Sequence, residues 1–217
     1  MSAALEQALL GASGPARRPA SRRRRVLMGF VFACWSLAAV VLGGTLMAKH
    51  LVTLPAPKTD DGALLAAVDG LRAPGERGRW MAVHFLYSEC NCSKRVIDHM
   101  VEVPRRPDVI DKVILVGDGS RLAPRLRAHG IAVEAIAPAD MTARFHVDAA
   151  PLLVVAAPDG HIAYLGGYTR RKQGPDIQDL AIFGELVGGA PAPEALPLYG
   201  CATAKSLQDM LDPFGIL

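Results

Sequence analysis

Residues 83–94 read VHFLYSECNCSK, and how this stretch folds decides the rest. Trp80 to Tyr87 (WMAVHFLY) is short, apolar and aromatic, which predicts a central strand. Cys90 to Val103 has helical spacing, with Val96, Ile97, Met100 and Val101 apolar and Pro104 stopping it. Cys90 and Cys92 therefore stand where a strand gives way to a helix. The free N–H groups and positive dipole end of a helix start stabilise a thiolate. Lys94 and Arg95 add positive charge, and Glu89 opposes them. A depressed thiol pKa raises reactivity, so an accessible, reactive Cys90 is expected in place of an inert buried pair.

Working outward, Asp60 or Asp61 can cap a helix from Gly62 to Leu71, and Gly75 to Arg79 is a polar turn. Val109 to Val116 and Ile131 to Ile136 read as strands, separated by a helix from Arg121 to His129 that Gly130 closes. Ala139 to Phe145 is a short helical turn. Pro151 to Ala157 is a strand, Pro158-Asp159-Gly160 a tight turn and His161 to Leu165 its hairpin partner. Pro175 to Val187 is a closing helix. The order β-α-β-α-β-α-β-β-α predicts an α/β fold with a mixed sheet flanked by helices. Residues 190–217 form an extension, Pro-rich at first and then carrying Cys201 and an amphipathic stretch from Ala204 to Leu211.

Three of these features together resemble the thioredoxin-like superfamily, over roughly residues 60–188. They are VHFLYSECNCSK, the segment Ala149-Ala150-Pro151-Leu152-Leu153-Val154-Val155, and the hairpin PDGHIAYLGGY at 158–168, which is close to membrane-tethered bacterial redoxin-type proteins. The resemblance implies that Cys90 is the exposed nucleophile and that Pro151 is a cis-proline packed against the cysteines, where it helps dock a substrate strand. It places His84 where the family often has a buried proton-shuttling acid, and an imidazole can do acid–base work near neutral pH. A packed core histidine is the competing role.

The departure from the family pattern is that the pair is Cys-x-Cys, with Ser93 where a second cysteine belongs. A Cys90–Cys92 disulfide closes a very small ring away from relaxed geometry, which favours an easily reduced bond. Either cysteine could instead pair with Cys201. A third option is Cu(I) held by Cys90, Cys92 and Cys201, since soft thiolates suit it. Zinc is disfavoured because no second ligand pair follows. Peroxiredoxin chemistry is disfavoured too, because residues 83–90 lack the proline that precedes that family's cysteine. The basic run Thr169-Arg170-Arg171-Lys172-Gln173 is expected to be a solvated loop, with lowering of a thiol pKa as the alternative.

Hydrophobic residues make up 51% of the 217 and charged ones 21%, which excludes disordered, collagen-like and coiled-coil chains. The net charge of +3 hides an asymmetry. Residues 1–25 hold six Arg and one acid, whereas from His50 onward 17 Lys+Arg face 20 Asp+Glu. A mildly acidic folded part argues against nucleic acid as a partner. Val26 to Ala48 is 23 residues without charge, long enough to span a bilayer, and longer than a signal peptide's apolar region. The basic residues upstream put the N-terminus in the cytoplasm.

The expected organisation is a cytoplasmic basic tail (1–25), a transmembrane helix (26–48), a linker (49–60), a thioredoxin-like domain (61–189) and the extension (190–217). The expected function is that of a thiol–disulfide oxidoreductase without cofactor that uses the Cys-x-Cys pair: Cys90 forms the mixed disulfide and Cys92, in preference to Cys201, resolves it. It is tethered to a bacterial inner membrane and faces protein thiols and disulfides in the periplasm. The alternative is a Cu(I)-binding or delivery module.

Overall fold

The computed structural model describes residues 22–172 and 174–212. The chain divides into two compact units, Met1–Ala48 and Lys49–Leu217. Helix α1 (Arg22–Leu51) runs through 30 residues. Its stretch Arg22–Gly44, which contains an 18-residue window with a mean hydropathy of 2.3, is long and apolar enough to cross a membrane. At about 1.5 Å per residue those 23 residues span about 34 Å, against a hydrocarbon core of about 30 Å. The helix begins before Val26 because the arginines ahead of it are themselves good helix formers. Residues 1–21 of the expected basic tail lie outside the described residues.

In the second unit Asp61 caps α2 (Gly62–Asp69), its carboxylate accepting the N–H groups of Ala63 and Leu64. A single 3-10 turn (Pro74–Glu76) leads into β1 (Trp80–Tyr87). There follow α3 (Asn91–Glu102), β2 (Val109–Val116), α4 (Leu122–Ala128), β3 (Ala132–Ile136) and α5 (Pro138–Phe145). Next come β4 (Ala149–Ala150), β5 (Leu152–Ala156), β6 (Ile162–Gly166) and α6 (Asp179–Val187). The described chain ends with β7 (Cys201–Ala202) and α7 (Lys205–Leu211).

The five-stranded sheet has the order β3-β2-β1-β5-β6. β1 pairs in parallel with β2 and antiparallel with β5, with Trp80 opposite Val109 and Phe85 opposite Leu152. Alternation along β1 sorts its side chains into two cores. Met81, Val83 and Phe85 pack with Leu64 and Val68 of α2 and Met141 and Phe145 of α5. Ala82 and Leu86 pack with Val96, Ile97 and Met100 of α3 and Ile182 and Phe183 of α6. The mixed sheet flanked by helices is the thioredoxin-like arrangement, and Ala150–Pro151 is a cis peptide bond.

In the second unit two further boundaries differ from the sequence reading for identifiable reasons. The closing helix starts at Asp179, because Arg95 donates to the Gly174 carbonyl at 2.7 Å and Gln178 N–H to Tyr168 O at 2.9 Å, which keeps the residues between out of the helix. The strand expected from Pro151 begins at Leu152, since proline has no N–H to give a ladder. The two residues before that proline turn to a separate partner, β7. The C-terminal segment is thereby drawn into the domain, with Leu198, Ala204 and Leu207 buried in the same core as Phe85.

Candidate functional site

Cys90 is the N-cap residue of α3, with extended backbone (φ −84°, ψ 121°). Its Sγ lies 3.8 Å from the carbonyl oxygen of Ala150, the residue before the cis-proline, and donates to it in the thiol form. Cys92 stands one position into the first turn. Cys201 comes from β7, directly opposite Ala150 in the antiparallel ladder. Cys90, Cys92 and Cys201 are all free thiols.

The Cys90 thiol is held well below the ordinary thiol range, first by the Cys201 S–H directed at it and then by that of Cys92. Burial opposes this, and the backbone N–H groups of Ser93 and Cys92 at the helix start reinforce it. The same contacts push Cys92 and Cys201 the other way, since each donates its proton to Cys90 and both are half-buried. The three sulfurs thus make one acid–base unit with the negative charge on Cys90. Arg95 and Lys172 act on Cys92, and Lys172 on Cys201, in both cases favouring the anion. Lys172 of the basic loop thus acts on both outer thiols. The Glu89 carboxylate accepts the Tyr87 hydroxyl at 2.9 Å, and burial together with that bond pushes Tyr87 up to about 12.

The expectation of an accessible Cys90 is corrected, because its relative exposure is 1%. The cover is the C-terminal segment, which sequence alone does not place there. Gly200 lies so close to the cis-proline step that an added Cβ would sit 1.9 Å from Ala150 O and 2.6 Å from Pro151 Cδ. Beside it a cavity of about 20 Å³ is lined by Cys92, Arg95, Pro151, Tyr168, Ile177 and Tyr199. Ser93, at the position where the family pattern has a cysteine, is fully buried and its Oγ accepts the Tyr87 N–H at 3.0 Å. It ties the end of β1 to the first turn of α3.

His84 is fully buried but contacts no sulfur. Its Nδ1 is 2.8 Å from the Tyr168 hydroxyl and its Nε2 2.9 Å from Asp111 Oδ1. Asp111 takes a two-pronged contact from Arg105, which also reaches Asp179 at 2.8 Å, and His99 completes the chain on Asp179 at 3.0 Å. Burial raises both carboxyls, and the hydrogen bonds from the histidines and the Arg105 charge more than reverse this, leaving both below the usual range. Tyr168 joins the network to the cysteine cavity, and burial raises its phenol. None of this network except His84 stood out in the sequence, although an aspartate inside the apolar run VIDKVILV is a readable signal of a buried ion partner.

The structure therefore brings together Cys90, Cys92, Cys201 and Pro151, and sets His84 one residue removed behind Tyr168. Among the described residues no group of three or more His, Cys, Asp or Glu side chains is placed to hold a metal ion.

No protein-family model and no curated protein matches the chain. Among solved structures it is similar to an uncharacterized conserved protein from Geobacillus kaustophilus, at 16% identity over 59% of this chain and 78% of that one, with a TM-score of 0.48. A hypothetical protein from Sinorhizobium meliloti 1021 shares 14% identity over 59% and 80%, with a TM-score of 0.46. A secreted Mycobacterium tuberculosis disulfide oxidoreductase, described as homologous to E. coli DsbE, shares 15% over 46% and 78%, with a TM-score of 0.34.

Proposed function

We propose that the chain is a thiol–disulfide oxidoreductase whose attacking sulfur is Cys90. The observation that carries this reading is the meeting of three free thiols at the start of α3, with Cys90 the one favoured as an anion. The thiolate attacks a partner disulfide, the partner's S–S bond breaks, and one of its sulfurs leaves as a thiolate. The mixed disulfide on Cys90 is then attacked by a second thiol of the site, which releases the partner reduced by two electrons. An external dithiol returns the site to its reduced state. The helix-end amides and the S–H donors stabilise the charge from which attack begins.

The apolar helix α1 supports a tether to a bacterial inner membrane. The arginines ahead of it support a cytoplasmic N-terminus and an extracytoplasmic domain, where disulfides persist. Tethering raises the effective concentration of membrane-adjacent protein thiols and disulfides. The full chain in detergent should exchange electrons between a dithiol and oxidised glutathione, and Cys90→Ala should reduce the rate to background. An unchanged rate in Cys90→Ala would falsify the assignment. Protease added to spheroplasts should digest residues 49–217; protection of that part would overturn the orientation.

A further inference from the structure

We infer that residues 199–203 form a strap over Cys90 and that Cys201 is the thiol that resolves the mixed disulfide. This rests on the exchange reaction proposed above and assigns it a second sulfur and a gate. The ladder places Cys201 opposite Ala150, whose carbonyl touches Cys90, while Gly200 lies backbone to backbone on the cis-proline step. Both ends of the segment are fastened. Leu54 N–H donates to Leu198 O at 2.9 Å, and Thr203 and Ala204 N–H both donate to Asp148 O, at 2.7 and 3.1 Å. Leu198 and Leu207 are buried beyond those points. The short middle is held by the two-residue β4–β7 pairing and by the Gln208 side-chain amide, which donates to Ala202 O at 3.0 Å.

Cys90 is shut off from any protein partner until the middle lifts. Cys92 is poorly placed as the resolving group: its S–H is directed at Cys90, but a bond between them would close a ring of about three residues at the helix start, away from relaxed disulfide geometry. Cys201 sits on a separate strand and can close on Cys90 without bending that turn. The reaction balances with the partner disulfide as oxidant. Cys90 takes one partner sulfur and the other leaves as a thiolate. Cys201 loses its proton to solvent and attacks the Cys90 sulfur. The Cys90–partner bond breaks, the second partner thiolate leaves, and Cys90–Cys201 remains.

The test oxidises the reduced full chain in detergent with oxidised glutathione, blocks free thiols with iodoacetamide and maps the disulfides. Cys90–Cys201 should dominate, and a Cys90–Cys92 bond with Cys201 alkylated overturns the inference. Cys201→Ala should accumulate glutathione on Cys90 while Cys92→Ala should not, and the reverse pattern overturns it. Gly200→Val keeps every thiol but unseats the strap, so iodoacetamide should modify Cys90 about tenfold faster or more as local protection is lost; an unchanged rate removes the gate. The wild-type map stands even if a variant misfolds. If Cys90 takes no glutathione in wild type or in Gly200→Val, the exchange reading falls as well. If Cys90 reacts and Cys92 resolves it, only the strap falls.

Discussion

Oxidation of the reduced protein is the perturbation that separates the two possible disulfides most cleanly, because they close loops of very different length. In the chain-entropy account a cross-link stabilises by restricting the unfolded chain, and the effect grows with the logarithm of loop size. A Cys90–Cys201 bond closes a loop of roughly 110 residues and should stabilise by about 4.8 kcal/mol, whereas a Cys90–Cys92 bond closes about three residues and gives about 1.6 kcal/mol. At roughly 2–4 °C per kcal/mol for a unit of this size, the first raises the unfolding midpoint by about 10–20 °C and the second by about 3–6 °C. The assay is thermal or urea unfolding of the full chain in detergent, with and without reductant, followed by the signal of Trp80. Cys201→Ala should lose most of the difference and Cys92→Ala almost none. A midpoint rise confined to the smaller range, or one that survives Cys201→Ala, would refute a strap closed by its own cysteine.

Other consequences follow from the same contacts. Cys201→Ala removes the leading donor to the Cys90 anion; a hydrogen bond to a charge is worth about 1.5 kcal/mol at the weak end, so the apparent pKa of Cys90 should rise by about 1, and Cys201→Ser should restore it, as read by ultraviolet thiolate absorbance. In the wild type the depressed value means that the thiolate persists as pH falls from 8 towards about 5, where an ordinary thiol would be almost fully protonated. Arg105→Met leaves two buried carboxylates without their cation and should cost about 3–5 kcal/mol. Because Asp111 and Asp179 are lowered, their contribution is present above about pH 4 and lost below it, so the gap to wild type in urea unfolding should narrow on acidification. Ser93→Ala orphans the Tyr87 N–H and should cost about 1–3 kcal/mol by the same measurement. Tyr168→Phe should cost about 1 kcal/mol and leave the pH profile of Cys90 alkylation in place, since His84 touches no sulfur; a displaced profile would instead reveal a relay through the phenol.

The fold was legible because its signals are local and periodic. β1 and β2 were readable to the residue, since continuous apolar runs bounded by polar turns leave little choice of register. The junction cysteines were also readable, because a strand end and a helix start are each marked by their own residues, whereas the cis state of Pro151 was implied by the resemblance to the thioredoxin-like superfamily. What stayed hidden depends on contacts across long sequence distances. Nothing in Tyr199-Gly200-Cys201 announces that it pairs with Ala149–Ala150, and no pattern joins Asp111 to Asp179 through Arg105. The burial of Cys90 was misjudged for the same reason: helix-end charge predicts its ionisation, but the cover arrives from residues more than a hundred positions away.

The way the anion on Cys90 is stabilised bears on how such a strap would work. The leading groups that lower this thiol are neutral donors, two S–H and two N–H, and the first of them belongs to Cys201 itself. Lifting the strap takes that donor away while the helix amides stay. The exposed sulfur then has a higher pKa, and the nucleophilicity of a thiolate rises with its pKa. The closed state therefore holds a well-stabilised, hindered and weakly attacking thiolate, and the open state an exposed and more aggressive one. In a cysteine pair carried on one helix turn both sulfurs move together and no such difference arises. Moving the second sulfur to the tail couples the strength of the nucleophile to the presence of a partner, because whatever lifts residues 199–203 both uncovers Cys90 and activates it.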